Sequence, residues 1–199
     1  MICVAFSHKS SAQTPATPAR EVPTESLVLA GGCFWCMEPP FEKLDGVVEV
    51  VSGYSGGSKD TAIYDIVSNG NTGHIEVVKV VYDPKKISYR ELLKVFWRQI
   101  DPLDSQGQFC DRGEQYTSAV YYKNDAEKKL AEESLAEIMT TPSIRNAKIA
   151  TKLRPTTEFY AAEDYHQDYY KKNPIRYKFY RANCGRDARL EKIWGASKK

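Results

Sequence analysis

The chain has no strong excess of charge of either sign. Its 28 Lys and Arg residues nearly balance its 26 Asp and Glu residues, which leaves a net charge of +2 over 199 residues. Nucleic-acid and anionic-membrane binding both depend on concentrated positive charge, so the composition provides no electrostatic case for either partner. The sequence also lacks an apolar run of about 20 residues, the length that crosses a bilayer. A membrane-spanning segment is therefore not expected.

Cysteine is too scarce for a disulfide scaffold. The chain has five cysteines, an odd number with irregular spacing: Cys3, Cys33, Cys36, Cys110 and Cys184. Disulfide-stapled proteins are small and cysteine-dense, whereas this chain is long enough for one domain with a sizeable apolar core. The cysteines therefore fit catalytic or redox-active thiols better than a structural framework.

Residues 1–25 differ in composition from the rest of the chain. Residues 10–23 are rich in Ser, Thr, Pro and Ala, which indicates a disordered extension. The apolar run at residues 2–6 is too short for a complete secretion signal. One interpretation is an extension of a cytoplasmic protein, and the other is the remnant of an export signal of a periplasmic or exported protein. Residues 26–199 are predicted to form a single domain.

The most informative segment follows Leu27–Ala30, a short apolar run that is typical of a buried strand. Gly31 and Gly32 allow a sharp turn, and Cys33 then stands where a helix should begin. A helix N-terminus carries unpaired N–H groups and partial positive charge, which favour a thiolate. We therefore expect Cys33 to be a reactive nucleophile, with Cys36 within reach for a disulfide. Two buried structural cysteines are the alternative.

Strand and helix signals alternate from residue 26 onward. Strands are predicted at Leu27–Ala30, Val47–Ser52, Ile75–Tyr82, Ser118–Tyr122 and Ile149–Leu153. Helices are predicted between Cys33 and Leu44, from the capping box Ser88–Glu91, from the cap Asn124 to about Met139, and over Tyr160–Lys172. The order β-α-β-β-α-β predicts an α+β protein with a ferredoxin-like two-layer core and C-terminal helical and coil additions.

Glu76 interrupts the Val-rich strand Ile75–Tyr82. Both faces of this strand are mostly apolar, so the carboxyl group should lose its contact with water. Loss of water raises the pKa of a carboxyl group and favours the protonated form, which can act as an acid. A salt-bridged or exposed glutamate near a strand end is the alternative.

A set of specific motifs occurs in order between Leu27 and Asn173. They include Gly32-Cys33-Phe34-Trp35, Gly53-Tyr54-Ser55-Gly56-Gly57, Gly73-His74-Ile75-Glu76-Val77-Val78, Asp111-Arg112-Gly113-Glu114-Gln115-Tyr116 and Tyr165-His166-Gln167. Together they closely resemble the A-type peptide methionine sulfoxide reductases, and chance is a poor explanation for so many motifs in order. The commonest form of that family has Gly after Phe-Trp, where this chain has Cys36.

The resemblance implies a thiol-dependent oxidoreductase that reduces methionine S-sulfoxide, free or in proteins, to methionine. Cys33 would attack the sulfur and become a sulfenic acid, and Glu76 would protonate the oxygen. The resemblance also implies Tyr54 and Tyr116 as donors to the oxygen and Asp111 as a residue that orients groups in the same pocket. Phe34 and Trp35 would line the methyl pocket. The catalytic domain would comprise residues 26–199.

A second thiol must then close an intramolecular disulfide with Cys33. We expect Cys36 to act first, because closing a short loop costs little entropy. Cys184 in the C-terminal tail is the main competitor, Cys110 is a third option, and Cys3 is the least expected. The resemblance implies thioredoxin as the external reductant and no bound cofactor.

Two other functions fit parts of the sequence. A thioredoxin-like dithiol oxidoreductase would also have a strand, a C-x-x-C pair and a helix, and a metal-binding or interaction module could use Cys33 and Cys36 as ligands. A zinc site usually has four good ligands, and no second C-x-x-C occurs, so we expect no metal. His74, before Ile75-Glu76, is not followed by the cysteines of a zinc deaminase.

The remaining expectations concern structure. His166 is expected to have a supporting role in a helix. The tail run Tyr177–Arg181 mixes basic and aromatic residues and is expected to pack its aromatic rings over the domain, since one short run is weak support for nucleic-acid binding. No heptad pattern occurs, so a monomer is the default.

Overall fold

The structure, a computed structural model, describes residues 23–196. The predicted disordered extension and Cys3 lie outside these residues, apart from the last positions of the extension, and so do residues 197–199. In the described part of the chain, no helix is long and apolar enough to cross a membrane.

The strands and helices from Glu25 to Ile138 follow the predicted order, except that the two-residue strands Gly107–Gln108 and Asp111–Arg112 were not predicted. The strands are β1 (Glu25–Gly31), β2 (Val47–Ser55), β3 (Ile75–Tyr82), β4 (Gly107–Gln108), β5 (Asp111–Arg112), β6 (Ser118–Tyr122), β7 (Lys152–Pro155) and β8 (Phe159–Ala161). The helices are α1 (Phe34–Glu42), α2 (Tyr64–Val67), α3 (Tyr89–Trp97), α4 (Asp125–Ile138), α5 (Tyr169–Lys172), α6 (Pro174–Asn183) and α7 (Arg186–Trp194).

The main sheet has six strands in the order β7-β6-β1-β3-β2-β8. Within the four central strands β6-β1-β3-β2, each adjacent pair is antiparallel. At the edges, β8 is antiparallel to β2 and β7 is parallel to β6. The α+β class is therefore confirmed. The order β-α-β-β-α-β is provided by β1, α1, β2, β3, α3 and β6, and the ferredoxin-like assignment itself stays a prediction.

Strand alternation divides the apolar residues between the two faces of the sheet. Leu29, Val78 and Val80 belong to the large core that also contains helix residues such as Phe96. Their strand neighbours Val28, Ala30 and Val77 form a smaller cluster. Because successive strand side chains point to opposite faces, Glu76 shares the face of Val78 and Val80, on which α1 packs.

The helix starts follow the predicted caps. The Ser88 hydroxyl accepts from the backbone N–H of Glu91, and the Glu91 carboxylate accepts from the backbone N–H of Ser88 in a capping box at α3. Asn124 caps α4 by accepting from the N–H of Glu127. Such caps satisfy N–H groups that have no partner inside the helix.

The predicted helix over Tyr160–Lys172 is wrong. Its first residues belong to β8, which pairs Tyr160 with Tyr54 of β2, and only Tyr169–Lys172 is helical. Asp168 has a left-handed backbone with φ 53°, which a right-handed helix cannot continue through. The strand predicted at Ile149–Leu153 starts later, at Lys152.

The C-terminal tail forms helices α6 and α7 and returns to the domain. The Trp194 indole Nε1 donates to the carbonyl oxygen of Ile100 at 3.1 Å, and Arg189 Nε lies 2.6 Å from Asp101 Oδ2. The expected packing of the tail aromatics is met only in part, because Phe179 is 72% exposed whereas Tyr180 of the same helix faces inward.

Candidate active site

The glycine turn after β1 places Cys33 at the start of α1. Gly32 has φ +78°, and a Cβ atom at this position would come within 2.5 Å of Gln108 Cβ. Glycine is therefore required by both the backbone conformation and the available space. Cys33 is the residue directly before α1 and is 6% exposed, so the turn holds its thiol inside the domain.

Cys33 lies at a small cavity of about 70 Å³ that the predicted site residues share. The cavity is lined by Cys33, Phe34, Trp35, Tyr64, Glu76, Asp111, Tyr116 and Tyr180. Six of these were predicted from the sequence, and two, Tyr64 and Tyr180, were not. These groups therefore surround one small space beside Cys33.

Glu76 is the buried acidic group at the cavity. It is 2% exposed, and the backbone N–H of Phe34 donates to its Oε2 at 3.0 Å. Burial raises the pKa of Glu76 to about 8, with Asp111 and Cys36 adding to the rise and the hydrogen bond from Phe34 opposing it. The carboxyl group therefore carries its proton at neutral pH and can donate it.

Cys33 and Cys36 form a buried pair of free thiols. Burial, the hydrogen bond with Cys36 and the nearby acidic groups of Glu76 and Asp111 raise the pKa of Cys33 well above its usual value. The hydrogen bond from Cys33, and after it the charge of Arg186, lower the pKa of Cys36 to about 6 against the effect of burial. Burial and the acidic neighbours therefore oppose the expected thiolate at Cys33 and favour the negative charge of the pair on Cys36. The role of Cys33 as the nucleophile stays a prediction.

A hairpin of β4 and β5 brings Asp111 to the cavity. The Tyr180 hydroxyl of α6 donates to Asp111 Oδ2 at 2.6 Å, and burial raises the pKa of Asp111. Tyr180 therefore joins the C-terminal tail to the cavity wall. No local sequence pattern marks this tyrosine among the thirteen in the chain, so only its tertiary contact reveals it.

Cys110 and Cys184 form a disulfide next to the cavity, with their Cα atoms 4.9 Å apart. The Cys184 Sγ lies 3.9 Å from Asp111 Oδ2. Cys110 is exposed, Cys184 is half-buried, and both members of the inner pair are buried. The prediction from the sequence treats Cys110 and Cys184 as alternative partners for Cys33, whereas in the structure they are bonded to each other.

Tyr54 does not reach the cavity wall. Its β2 position pairs it with Glu76 in the neighbouring strand, yet its hydroxyl donates to Glu163 Oε2 at 2.9 Å. Glu163 also accepts from the backbone N–H of Tyr64 at 2.8 Å. The Tyr54 hydroxyl is thus bound to Glu163, and the Tyr54 ring packs near Phe34 with the two centroids 5.9 Å apart. The predicted contact of Tyr54 with a substrate oxygen stays a prediction.

His166 holds Trp35 in place. The indole Nε1 of Trp35 donates to His166 Nδ1 at 2.9 Å, and burial lowers the pKa of His166 to about 4. A neutral imidazole can accept this bond, so His166 supports the cavity wall. On its other side, Trp35 stacks on Tyr169 with centroids 3.7 Å apart.

Both ring nitrogens of His74, the residue before β3, lie within hydrogen-bond distance of backbone groups. His74 is buried and accepts from the N–H of Gly57 at its Nδ1, while its Nε2 lies 2.9 Å from the carbonyl oxygen of Ser58. In the described residues, the group whose ligand atoms come close enough for a metal ion is Cys110, Asp111 and Cys184, and both of its sulfurs are in the disulfide. The pair Cys33 and Cys36 does not belong to that group.

Comparison with known proteins agrees with this geometry. The sequence profile of the peptide methionine sulfoxide reductase family matches residues 25–198. The chain belongs to this family. The peptide methionine sulfoxide reductase MsrA of Bacillus licheniformis is 46% identical over 171 residues, which are 86% of this chain and 94% of that protein. The A-type resemblance and the oxidoreductase class are therefore confirmed.

A second relative is longer than this chain. The peptide methionine sulfoxide reductase MsrA/MsrB of Vibrio cholerae is 49% identical over 174 residues, which are 87% of this chain and 46% of that protein. The chain thus spans less than half the length of this relative.

Solved structures of the family are also similar. Reduced Mxr1 of Saccharomyces cerevisiae has a TM-score of 0.71 and 38% identity, with 76% of this chain and 87% of that chain covered. Mxr1 in complex with Trx2 has a TM-score of 0.50 and 29% identity, with 73% and 84% covered.

Proposed function

We propose that this member of the family reduces the S epimer of methionine sulfoxide, free or in proteins, to methionine. The convergence of Cys33 and a protonated Glu76 on one small cavity carries this proposal. Reduction of a sulfoxide needs a sulfur nucleophile, a proton for the oxygen and a pocket for the methyl group. The A-type relatives support the substrate and its stereochemistry, because the two sulfoxide epimers have separate enzymes.

In the first step, the Cys33 sulfur attacks the sulfoxide sulfur and Glu76 protonates the oxygen. The proton of Cys33 passes to Cys36, its hydrogen-bond partner, which holds the negative charge of the pair. The oxygen is transferred to Cys33, which becomes a sulfenic acid, and methionine leaves as the thioether. The two electrons that reduce the sulfoxide therefore come from the Cys33 sulfur.

The wall residues divide between the methyl group and the oxygen. Phe34 and Trp35 line the cavity beside Cys33 and provide an apolar contact for the methyl group. Tyr116 and Asp111 line it with Glu76, so Tyr116 is suited to donate to the oxygen while Asp111 orients neighbouring groups. We retain Tyr54 as a donor that would have to leave Glu163 first.

Recycling begins when the Cys36 thiol attacks the sulfenic acid of Cys33, which forms a disulfide and releases water. Thiol–disulfide exchange with reduced Cys110 and Cys184 would then return Cys33 and Cys36 to thiols and leave the observed outer disulfide. An external dithiol must reduce that disulfide, and the Mxr1–Trx2 complex supports thioredoxin in this role. Direct attack of Cys184 on Cys33 remains the competing route.

We also propose the domain extent, oligomeric state and location that the sequence predicts. We infer a single catalytic domain at residues 26–199, a monomer with no bound cofactor, and a cytoplasmic or, if residues 1–25 derive from an export signal, periplasmic or exported location. The strand order β6-β1-β3-β2 supports the ferredoxin-like assignment of the core.

The function is tested with the two pure epimers of methionine sulfoxide and dithiothreitol as reductant. Mass spectrometry should detect methionine from the S epimer and none from the R epimer. Cys33→Ser should release none from either, because a hydroxyl cannot replace the thiol as the oxygen acceptor. Equal consumption of both epimers, or turnover by Cys33→Ser, would contradict the proposal.

A further inference from the structure

Arg186 is a fully buried cation on the C-terminal helix α7. It is 1% exposed, and its Nη2 donates to the carbonyl oxygens of Gly31 and Gln99 at 2.8 and 2.9 Å. Its guanidinium carbon lies 4.5 Å from the ring centroid of Phe109. The Nε and Nη1 atoms are buried without a hydrogen-bond partner. An arginine in this state is costly unless an anion lies near it.

Arg186 differs in this respect from Arg181 and Arg189, which also belong to the tail. Arg181 pairs with Asp187 at 2.6 Å, and Arg189 pairs with Asp101 at 2.6 Å. Within residues 23–196, Arg186 forms no ion pair with a carboxylate. Its charge therefore requires another partner.

The position of Arg186 points to that partner. Gly31, one of its acceptors, is two residues before Cys33, and its Nη2 lies 3.2 Å from the Sδ of Met37, the residue after Cys36. The guanidinium thus contacts the end of β1 and the first turn of α1, the two segments that flank Cys33 and Cys36. Its charge acts on Cys36 and lowers the pKa of that thiol.

We propose that Arg186 is the counter-ion of the Cys36 thiolate, so that helix α7 belongs to the redox centre. Arg186 is then a positioning residue that keeps the negative charge of the Cys33 and Cys36 pair in place without contacting substrate. Neither the sequence motifs nor the cavity lining include it.

This assignment couples the charge of the pair to the docking of the tail, because such linkage is reciprocal. The thiolate stabilises Arg186 in its buried position, and a Cys33–Cys36 disulfide or a protonated Cys36 removes that stabilisation. Arg186 is two residues from Cys184. Docking of the segment that carries Cys184 should therefore weaken when the inner pair is oxidised.

Several charged or titratable groups face Cys36 from the elements around it. They are Cys33 before α1, Glu76 of β3, Asp111 of β5, Tyr177 and Arg181 of α6, and Arg186 of α7. The acidic groups oppose a thiolate at Cys36. Arg181 already forms an ion pair with Asp187. Arg186 is the cation of this set without a carboxylate partner.

The test measures thiol ionisation in the reduced full-length protein by the ultraviolet absorbance of thiolate against pH. Each protein is compared with its own Cys36→Ser counterpart, which isolates the first ionisation of the pair. The parent should titrate at about pH 6. Arg186→Met should titrate at least about one pH unit higher, the usual effect of a close opposite charge, and Arg186→Lys should restore much of the difference.

Arg189→Gln is the matched control, because it removes an arginine contact from the same helix away from the thiols. Its titration should follow that of the parent. An unchanged midpoint in Arg186→Met would overturn the proposal, as would an equal rise in Arg189→Gln. The proposal concerns the same thiols as the proposed function, but this readout is independent of turnover, so each can fail without the other.

A second measurement does not require an Arg186 variant to fold. The charge of docked Arg186 supplies part of the lowering of the Cys36 pKa, which is about 6 with the tail in place. The contribution of the thiolate to docking is therefore complete by about pH 9 and is lost as the pH falls through 6. Hydrogen-exchange protection of Arg186–Trp194 should fall about tenfold or more over this range. In Cys36→Ser this dependence should be absent, and equal pH dependence in both proteins would overturn the assignment.

Discussion

Glu76→Gln should remove the proton donor and leave the fold intact. Gln keeps an oxygen that can accept from the backbone N–H of Phe34, which lies 3.0 Å from the Glu76 Oε2, but an amide cannot release a proton at neutral pH. General acids contribute about 10²–10⁴ in rate. We expect the single-turnover rate with methionine S-sulfoxide to fall by about that factor.

The burial of Glu76 sets the magnitude and the pH dependence. Its pKa is raised to about 8 from the usual 4.5. At pH 7, roughly 90% of this carboxyl group carries its proton, against about 0.3% for an unperturbed glutamate. The difference of about 300-fold lies inside the range expected for a general acid. The rate of the parent should decline above about pH 8, where the proton is lost, and Glu76→Gln should lack this decline.

The same pKa shift makes Glu76 a cost to stability. Its pKa is higher in the folded than in the unfolded protein, so the folded state binds more protons and the free energy of unfolding falls as pH rises from about 4.5 to about 8. Removal of the ionisable group should raise the free energy of unfolding at pH 7 by up to about 3 kcal/mol. If Glu76→Gln has a lower rate and a higher free energy of unfolding than the parent, the rate loss comes from the missing acid and not from a disturbed fold.

The assay follows methionine release by chromatography with enzyme in excess over substrate, and denaturant titration measures stability. Glu38→Gln is the matched control. Glu38 is also buried, its pKa is raised to about 7 by burial, and it accepts from the Ser52 hydroxyl at 2.8 Å without lining the cavity. Its substitution should preserve the rate and the decline at high pH. A near-normal rate in Glu76→Gln, or a decline that persists in it, would refute the assignment of the acid.

The two other predictions concern recycling. Cys36→Ser should still release one methionine per enzyme, but more slowly because the proton acceptor of Cys33 is lost, and its thioredoxin-driven turnover should collapse. Full thioredoxin-driven activity, together with a Cys33–Cys184 linkage in peptide mapping, would transfer the resolving role to Cys184. Cys110→Ser should keep turnover with dithiothreitol and lose most turnover with thioredoxin, because the outer disulfide cannot form. Cys3→Ser is the matched control, and equal thioredoxin-driven rates in these two variants would show that the outer pair does not transmit electrons.

The sequence by itself determined the parts of this protein that depend on local pattern. The strand Ile75–Tyr82 has the predicted bounds, and the capping box at Ser88 marks the start of α3, because apolar alternation and capping are interactions between near neighbours in the chain. The apolar residues around Glu76 were enough to predict its burial. The motif resemblance was enough to predict the family.

Only the tertiary structure decided which distant groups meet at the site. The raised pKa of Cys33 follows from its burial next to Glu76 and Asp111, which a helix-terminus argument does not contain. Tyr180 and Arg186 come to the cavity and to the thiols from the tail, more than 140 residues after Cys33. Their pattern in the sequence is that of any tail residue. Burial and charge at a site are sums over neighbours in space, and packing, not local sequence, selects those neighbours.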